Sequence, residues 1–200
     1  MTMKESIRSF IAIPLPVEIQ SSLGEFTAKH GINQNNGFRP VKSGNIHLTL
    51  KFLGDATPGQ AKSVTACLNN IVRSQNGFRI VFEGIGAFPN WNLPRVIWAG
   101  MSAPAELESL YQRIDRETID LGFPSENRKF SPHLTLSRVN SSMNDPRFAR
   151  VIASLRSLSP APFFGEMQAG HVDLYRSVLQ AGGSVYSVIS RHPFQASTDV

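Results

Sequence analysis

The sequence predicts an α+β fold: two pseudo-symmetric lobes, each an antiparallel sheet with helices packed outside, and a cleft between the lobes. Three observations predict it. The tetrapeptide His-Leu-Thr-Leu occurs twice, at 47–50 and 133–136, in a 200-residue chain with only five histidines. Each copy alternates polar and apolar residues as a half-buried strand does. Each is flanked by helical periods, and no Pro- or Ser-rich linker or low-complexity segment separates the two halves. One bilobal domain spanning 1–200 is therefore expected.

The elements follow in order. Residues 7–13 (IRSFIAI) read as a strand. Val17 to His30 fits a helix with Ile19, Leu23 and Phe26 on one face and Gly31 as its stop. Residues 31–45, rich in Asn and Gly, read as a loop. The first HLTL strand puts His47, Thr49 and Lys51 on one face and Leu48, Leu50 and Phe52 on the other. Thr57-Pro58-Gly59-Gln60 is a helix start with a capping box, followed by the stripe Val64, Leu68, Ile71 and Val72. Residues 78–86 and 95–100 read as strands joined by a Pro/Asn turn. Pro104 opens a helix with Leu107, Leu110, Tyr111, Ile114, Thr118 and Leu121 on one face, ended by Gly122. The second HLTL strand puts His133 and Thr135 opposite Leu134 and Leu136. Asp145-Pro146 caps a short helix, and strands near 166–176 and 184–192 meet at a Gly182-Gly183 hairpin.

Composition narrows the function. Hydrophobic residues make up 41% of the chain and charged ones 18%, which excludes a disordered protein. The net charge of +5 permits an anionic partner, a phosphate ester or RNA, without requiring one. A single cysteine, Cys67, excludes an intramolecular disulfide and a cysteine metal cluster; beside Leu68 it reads as a small buried hydrophobe. The N-terminal apolar run breaks at Pro14 with no small-residue cleavage site, so it reads as a strand and not a signal peptide. No stretch approaches the ~18 apolar residues of a membrane span. A soluble, cytoplasmic monomer with no membrane partner is expected.

A His and a Thr two apart on a strand project into the same space. His moves protons near neutral pH, and the Thr hydroxyl donates to an anionic oxygen. Two such units facing each other across a groove enclose a tetrahedral phosphate. A neutral His takes a proton from the attacking water or hydroxyl, and a protonated His gives one to the leaving oxygen. Neither step needs a metal, and His-x-Thr supplies only one metal ligand per strand, with no companion Asp/His cluster. His30, His171 and His192 lack this company and read as structural or exposed. Strict alternation turns Arg138 away from His133 unless a bulge intervenes, and makes Lys51 the better cation.

The paired motifs, with FIAIPLP (10–16), NIHLTLKFLGD (45–55), GIGAFPN (84–90), PRVIWAG (94–100), LGFPSENRKFSPHLTLSRV (121–139) and DLYRS (173–177), resemble the two-histidine (2H) phosphoesterase superfamily. The chain is most similar to its RNA 2′,3′-cyclic phosphodiesterases, the LigT-like 2′-5′ RNA ligases. The resemblance implies a bilobal fold and hydrolysis of RNA 2′,3′-cyclic phosphate ends to 2′-phosphomonoesters, with no cofactor. It implies His47 as the acid to the 3′ oxygen, His133 as the base to water, and Thr49, Thr135 and Arg138 as phosphate-binding residues. It implies as partner an RNA with a 2′,3′-cyclic phosphate end, or a cyclic nucleotide, and a reverse, ATP-independent 2′-5′ joining of RNA ends. The sequence departs from the family pattern at Phe38, where Trp is common, at Gly44, where an acid is common, and at His171.

Phe52, Phe130 and Tyr175 are candidates to stack a nucleobase. Arg39, Lys42, Lys51, Arg128 and Lys129 are a candidate group to guide an RNA backbone. Two alternatives stand beside the leading one: a noncatalytic RNA-end or nucleotide-binding module, and a 2H phosphodiesterase acting on another small phosphodiester.

Overall fold

A computed structural model describes residues 6–126, 128–140, 144–181 and 183–195. The strands are β1 (Ile7–Pro14), β2 (Phe38–Pro40), β3 (His47–Ala56), β4 (Phe78–Phe88), β5 (Val96–Met101), β6 (Leu134–Val139), β7 (Phe163–Ala169), β8 (His171–Gln180) and β9 (Gly183–Pro193). The α-helices are α1 (Val17–Lys29), α2 (Pro58–Val72), α3 (Ala105–Ile119) and α4 (Pro146–Arg156). The strands form two antiparallel sheets, ordered β3-β1-β8-β9 and β2-β6-β5-β4-β7. The α+β architecture of two sheets with helices is the one expected.

The two halves share a rhythm. β1 leads through α1 to β3, its antiparallel neighbour; β5 leads through α3 to β6, its antiparallel neighbour. Each HLTL segment thus follows a strand and a helix and pairs back onto that strand. Local signals set the helix ends. Thr57 and Gln60 form the capping box expected, and Asp145 accepts from the Arg147 N–H at 2.9 Å. Gly31 and Gly122, at φ 68° and 90°, close the ends of α1 and α3 in the left-handed region.

One buried cluster joins the layers. It unites Ile11, Ile13, Leu48 and Leu50 of the first sheet with Ile97, Ala99, Leu134 and Leu136 of the second. The helical stripes, including Leu23, Leu68, Leu110 and Ile152, complete it.

Two expected elements need correction. The segment 31–45 is not all loop: β2 lies within it, a three-residue strand too short to show a period. Residues 166–176 are not one strand, because β7 ends and β8 begins around Gly170. The β8–β9 pair is the hairpin expected, but Gly182 lies outside the described residues. His192 proves fully buried, bonded to Asn69 Oδ1 at 2.7 Å and Ser190 Oγ at 2.9 Å.

The largest correction concerns Lys51. Ile11 pairs with Lys51 and Ala12 with Thr49, so Leu50 is an extra residue in β3. Such a bulge puts two successive side chains on one side of the strand. Leu50 and Lys51 are both buried, and Lys51 points away from His47 into the core. There its ammonium meets Asp115 at 2.5 Å and the Pro124 carbonyl at 2.9 Å. Burial alone would raise the Asp115 carboxyl; hydrogen bonds from Lys51, Ser125 and the Glu126 N–H pull it below the ordinary carboxylate range. The pair fastens β3 to α3 and to the segment that runs on toward His133.

Removing a buried cation strands its partner. Lys51→Ala is expected to cost about 3 kcal/mol of unfolding free energy, and Lys51→Met less, since it refills the space. Urea denaturation of both variants checks the order.

Candidate active site

His47 is the first residue of β3; His133 stands one residue before β6, so the second strand begins later than expected. The two are held alike. His47 Nδ1 donates to the Asn45 carbonyl at 2.8 Å, and His133 Nδ1 to the Ser131 carbonyl at 2.7 Å. A carbonyl only accepts, so each Nδ1 carries the proton and each Nε2 is left for other work.

Both rings also rest on aromatics. His47 stacks on Phe10, with centroids 4.6 Å apart, and meets Tyr186 edge-on at 5.3 Å. Phe10 is itself buried but lies outside the main core cluster, on the His47 side of its sheet. His133 meets Phe88 edge-on at 4.9 Å and Trp98 at 6.5 Å. Gly86 makes room for Trp98: a Cβ there would come within 2.0 Å of the indole. Burial lowers the proton affinity of His47 below that of a free imidazole, and the bond to Asn45 offsets this in part.

The threonines occupy matching half-buried positions, Thr49 opposite Ala12 and Thr135 opposite Trp98. A bulge then interrupts each strand after its motif. In β6, Ile97 pairs with Ser137 and Trp98 with Thr135, so Leu136 is extra. Leu136 and Ser137 are both buried, and the next residue, Arg138, emerges on the His133 and Thr135 face. Strict alternation put it on the other. The same shift in β3 brings out Phe52, 64% exposed, where alternation placed it with the leucines. The two strands carrying these groups belong to different sheets yet approach within 8 Å, Cα to Cα.

The remaining candidates separate clearly. Phe130 stacks on Tyr111 at 3.9 Å, against the core. Tyr175 stacks on Phe10 at 5.1 Å, and burial together with the adjacent Asp173 carboxylate pushes its phenol up to about 12. Asp173 is fully buried and binds the Arg191 guanidinium at 3.0 and 3.1 Å. Arg39, Lys42, Arg128 and Lys129 are exposed; Lys51 leaves that group.

The family model described as LigT-like phosphoesterase matches residues 13–98 and 100–186, one motif in each stretch. The chain belongs to the LigT-like phosphoesterase family. An RNA 2′,3′-cyclic phosphodiesterase of Methanocaldococcus jannaschii is 33% identical over 183 residues, covering 92% of this chain and 98% of its own. One from Escherichia coli is 34% identical over 137 residues, covering 68% and 74%. Escherichia coli LigT complexed with 3′-AMP superposes with a TM-score of 0.78 at 28% identity, covering 96% of this chain and 99% of that one. The family resemblance read from the paired motifs is thereby established.

Sequence reasoning missed Phe10, Tyr186, Phe88 and Trp98. Each supports a histidine from another strand, and only the pairing of strands brings them there.

Two outcomes are expected. His47 titrates below pH 6.5 in an NMR pH series, and Phe10→Ala raises its midpoint by admitting water. Gly86→Ala, measured in a Trp91→Phe background so that Trp98 alone reports, changes the indole emission and costs about 2 kcal/mol through overpacking.

Proposed function

We propose that this protein, a cytoplasmic monomer, hydrolyses the 2′,3′-cyclic phosphate at RNA ends to a 2′-phosphomonoester, without a metal, using His47 and His133. The observation that carries the reading is the matched pair: two histidines with the same Nδ1 lock, each with a threonine two residues on, on strands that approach each other from separate sheets. The names and coverage of the relatives support the substrate.

In the proposed mechanism the cyclic phosphate lies between the two Nε2 atoms. Thr49, Thr135 and Arg138 hold its oxygens, and Arg138 takes most of the negative charge as it builds at phosphorus. Neutral His133 removes a proton from water as the water oxygen bonds to phosphorus. The bond from phosphorus to the 3′ oxygen breaks, and His47 gives its proton to that oxygen. The products are a 2′-phosphate and a 3′-hydroxyl. The histidines are left with their protonation exchanged and reset through solvent. A 5′-hydroxyl in place of water gives 2′-5′ ligation, driven by the strained ring.

The surroundings favour this order of acid and base. The exposed Phe52 ring stands on the His47 side, tilted against Phe10 at 6.2 Å. A nucleobase stacked there puts the ribose, and its leaving 3′ oxygen, near His47. Burial lowers the proton affinity of His47 in the free protein, which opposes this order, and the substrate anion offsets it by favouring the charged form. Arg138 occupies the corresponding place on the water side.

The purified protein treated with EDTA is expected to open 2′,3′-cyclic AMP to 2′-AMP. His47→Ala and His133→Ala should each lose roughly 10²–10⁴-fold in rate; full activity in either overturns the mechanism. Because the acid must enter protonated and its midpoint lies below 6.5, kcat/KM is expected to fall as pH rises above that value. A flat profile from pH 6 to 8 contradicts His47 as acid.

A further inference from the structure

A second arginine stands beside the first. In the antiparallel β2–β6 pair, Arg39 lies directly opposite Arg138. Its neighbour Phe38 is fully buried, so Arg39 points away from the core. The β6 bulge sends Arg138 to the same side. Two guanidinium groups are thus opposed across neighbouring strands on the open face of the sheet.

Like charges directly opposite one another destabilise a sheet. Among the described residues neither guanidinium has a carboxylate within 4.0 Å. Arg39 is nevertheless oriented. With the Asn140 amide turned to suit its neighbours, Asn140 donates to the Gly37 carbonyl and accepts from Arg39 Nε at 3.3 Å. That leaves the terminal nitrogens of Arg39 for an anion. One strand spacing, roughly 4.8 Å, separates its backbone from that of Arg138. A single terminal phosphate occupies the one guanidinium; the paired arrangement suits two successive phosphates of one chain.

We propose that Arg39 binds the phosphodiester that links the terminal nucleotide to the rest of the RNA, so that the site prefers a cyclic phosphate on a chain to one on a free nucleotide. The inference rests on the RNA-end reading above and extends it to the next phosphate. Arg39 is a specificity residue in this role and takes no part in the proton transfers.

The test compares adenylyl-(3′→5′)-adenosine 2′,3′-cyclic phosphate with 2′,3′-cyclic AMP. Wild-type protein is expected to have the lower KM for the dinucleotide. Arg39→Gln should raise that KM about tenfold, the loss of one charge-assisted contact, and leave kcat and the mononucleotide constants unchanged. It should also reduce the slope of log KM against log salt by about 0.7, one phosphate contact to a single strand. Arg39→Lys should recover part of the loss. An unchanged dinucleotide KM in Arg39→Gln, or an equal loss for both substrates, overturns the proposal. Calorimetric binding of the same dinucleotide ending in a 2′-phosphate repeats the comparison without turnover. A wild type that binds this ligand through Arg39 but hydrolyses nothing sinks the activity reading and supports the subsite; binding insensitive to Arg39 overturns the subsite alone.

Discussion

The hydrogen bond from each motif histidine to the carbonyl two residues before it is the constraint on which the site depends. It fixes the tautomer, orients the ring and leaves Nε2 without the proton. It is made twice, by His47 to Asn45 and by His133 to Ser131, at the head of each HLTL copy. Aromatic contacts then hold each ring from the side: Phe10 and Tyr186 at one, Phe88 and Trp98 at the other. A ring held by one hydrogen bond and two packed faces has little freedom left to lose when a transition state forms, which is how preorganisation lowers a barrier.

The bulges make a symmetric scaffold asymmetric in the side chains it presents. Each lets the strand bury two successive residues and then return to the open side. In β3 the pair is Leu50 and Lys51, and Phe52 emerges; in β6 it is Leu136 and Ser137, and Arg138 emerges. One half therefore presents an aromatic surface and the other a cation, at matching distances along the chain from their histidines. The buried half of each bulge differs too. Lys51 ties its strand to Asp115 and the Pro124 carbonyl, whereas Ser137 turns back to the Arg138 carbonyl at 2.9 Å.

Much of this was legible in the chain. The repeated tetrapeptide located both histidines and both threonines, because a period of two is preserved over four residues whatever follows. Helices were legible from their caps: Thr57 with Gln60, and Asp145 with Pro146. What failed was alternation carried past the motif. Lys51 and Phe52 exchange faces because Leu50 has no partner in β1, and a strand's sequence does not reveal which of its residues its neighbour will skip. The family resemblance favoured Arg138 where spacing did not, and the bulge turns it to the His133 face. The aromatic supports were invisible for a related reason: Phe10 reaches His47, and Trp98 reaches His133, only across strand pairings that are remote in sequence. β2 and its Arg39 were hidden in a loop-like composition, since three residues carry no period.

The central claim is that both imidazoles address one phosphorus atom. Titrating the protein with inorganic phosphate while following the ring nitrogens of His47 and His133 by NMR tests it most directly. The account predicts that the two Nε2 signals move together along a single saturation curve of one phosphate per protein, while the Nδ1 signals keep their bonded positions. Movement of only one ring, or two curves with separate stoichiometries, would contradict it.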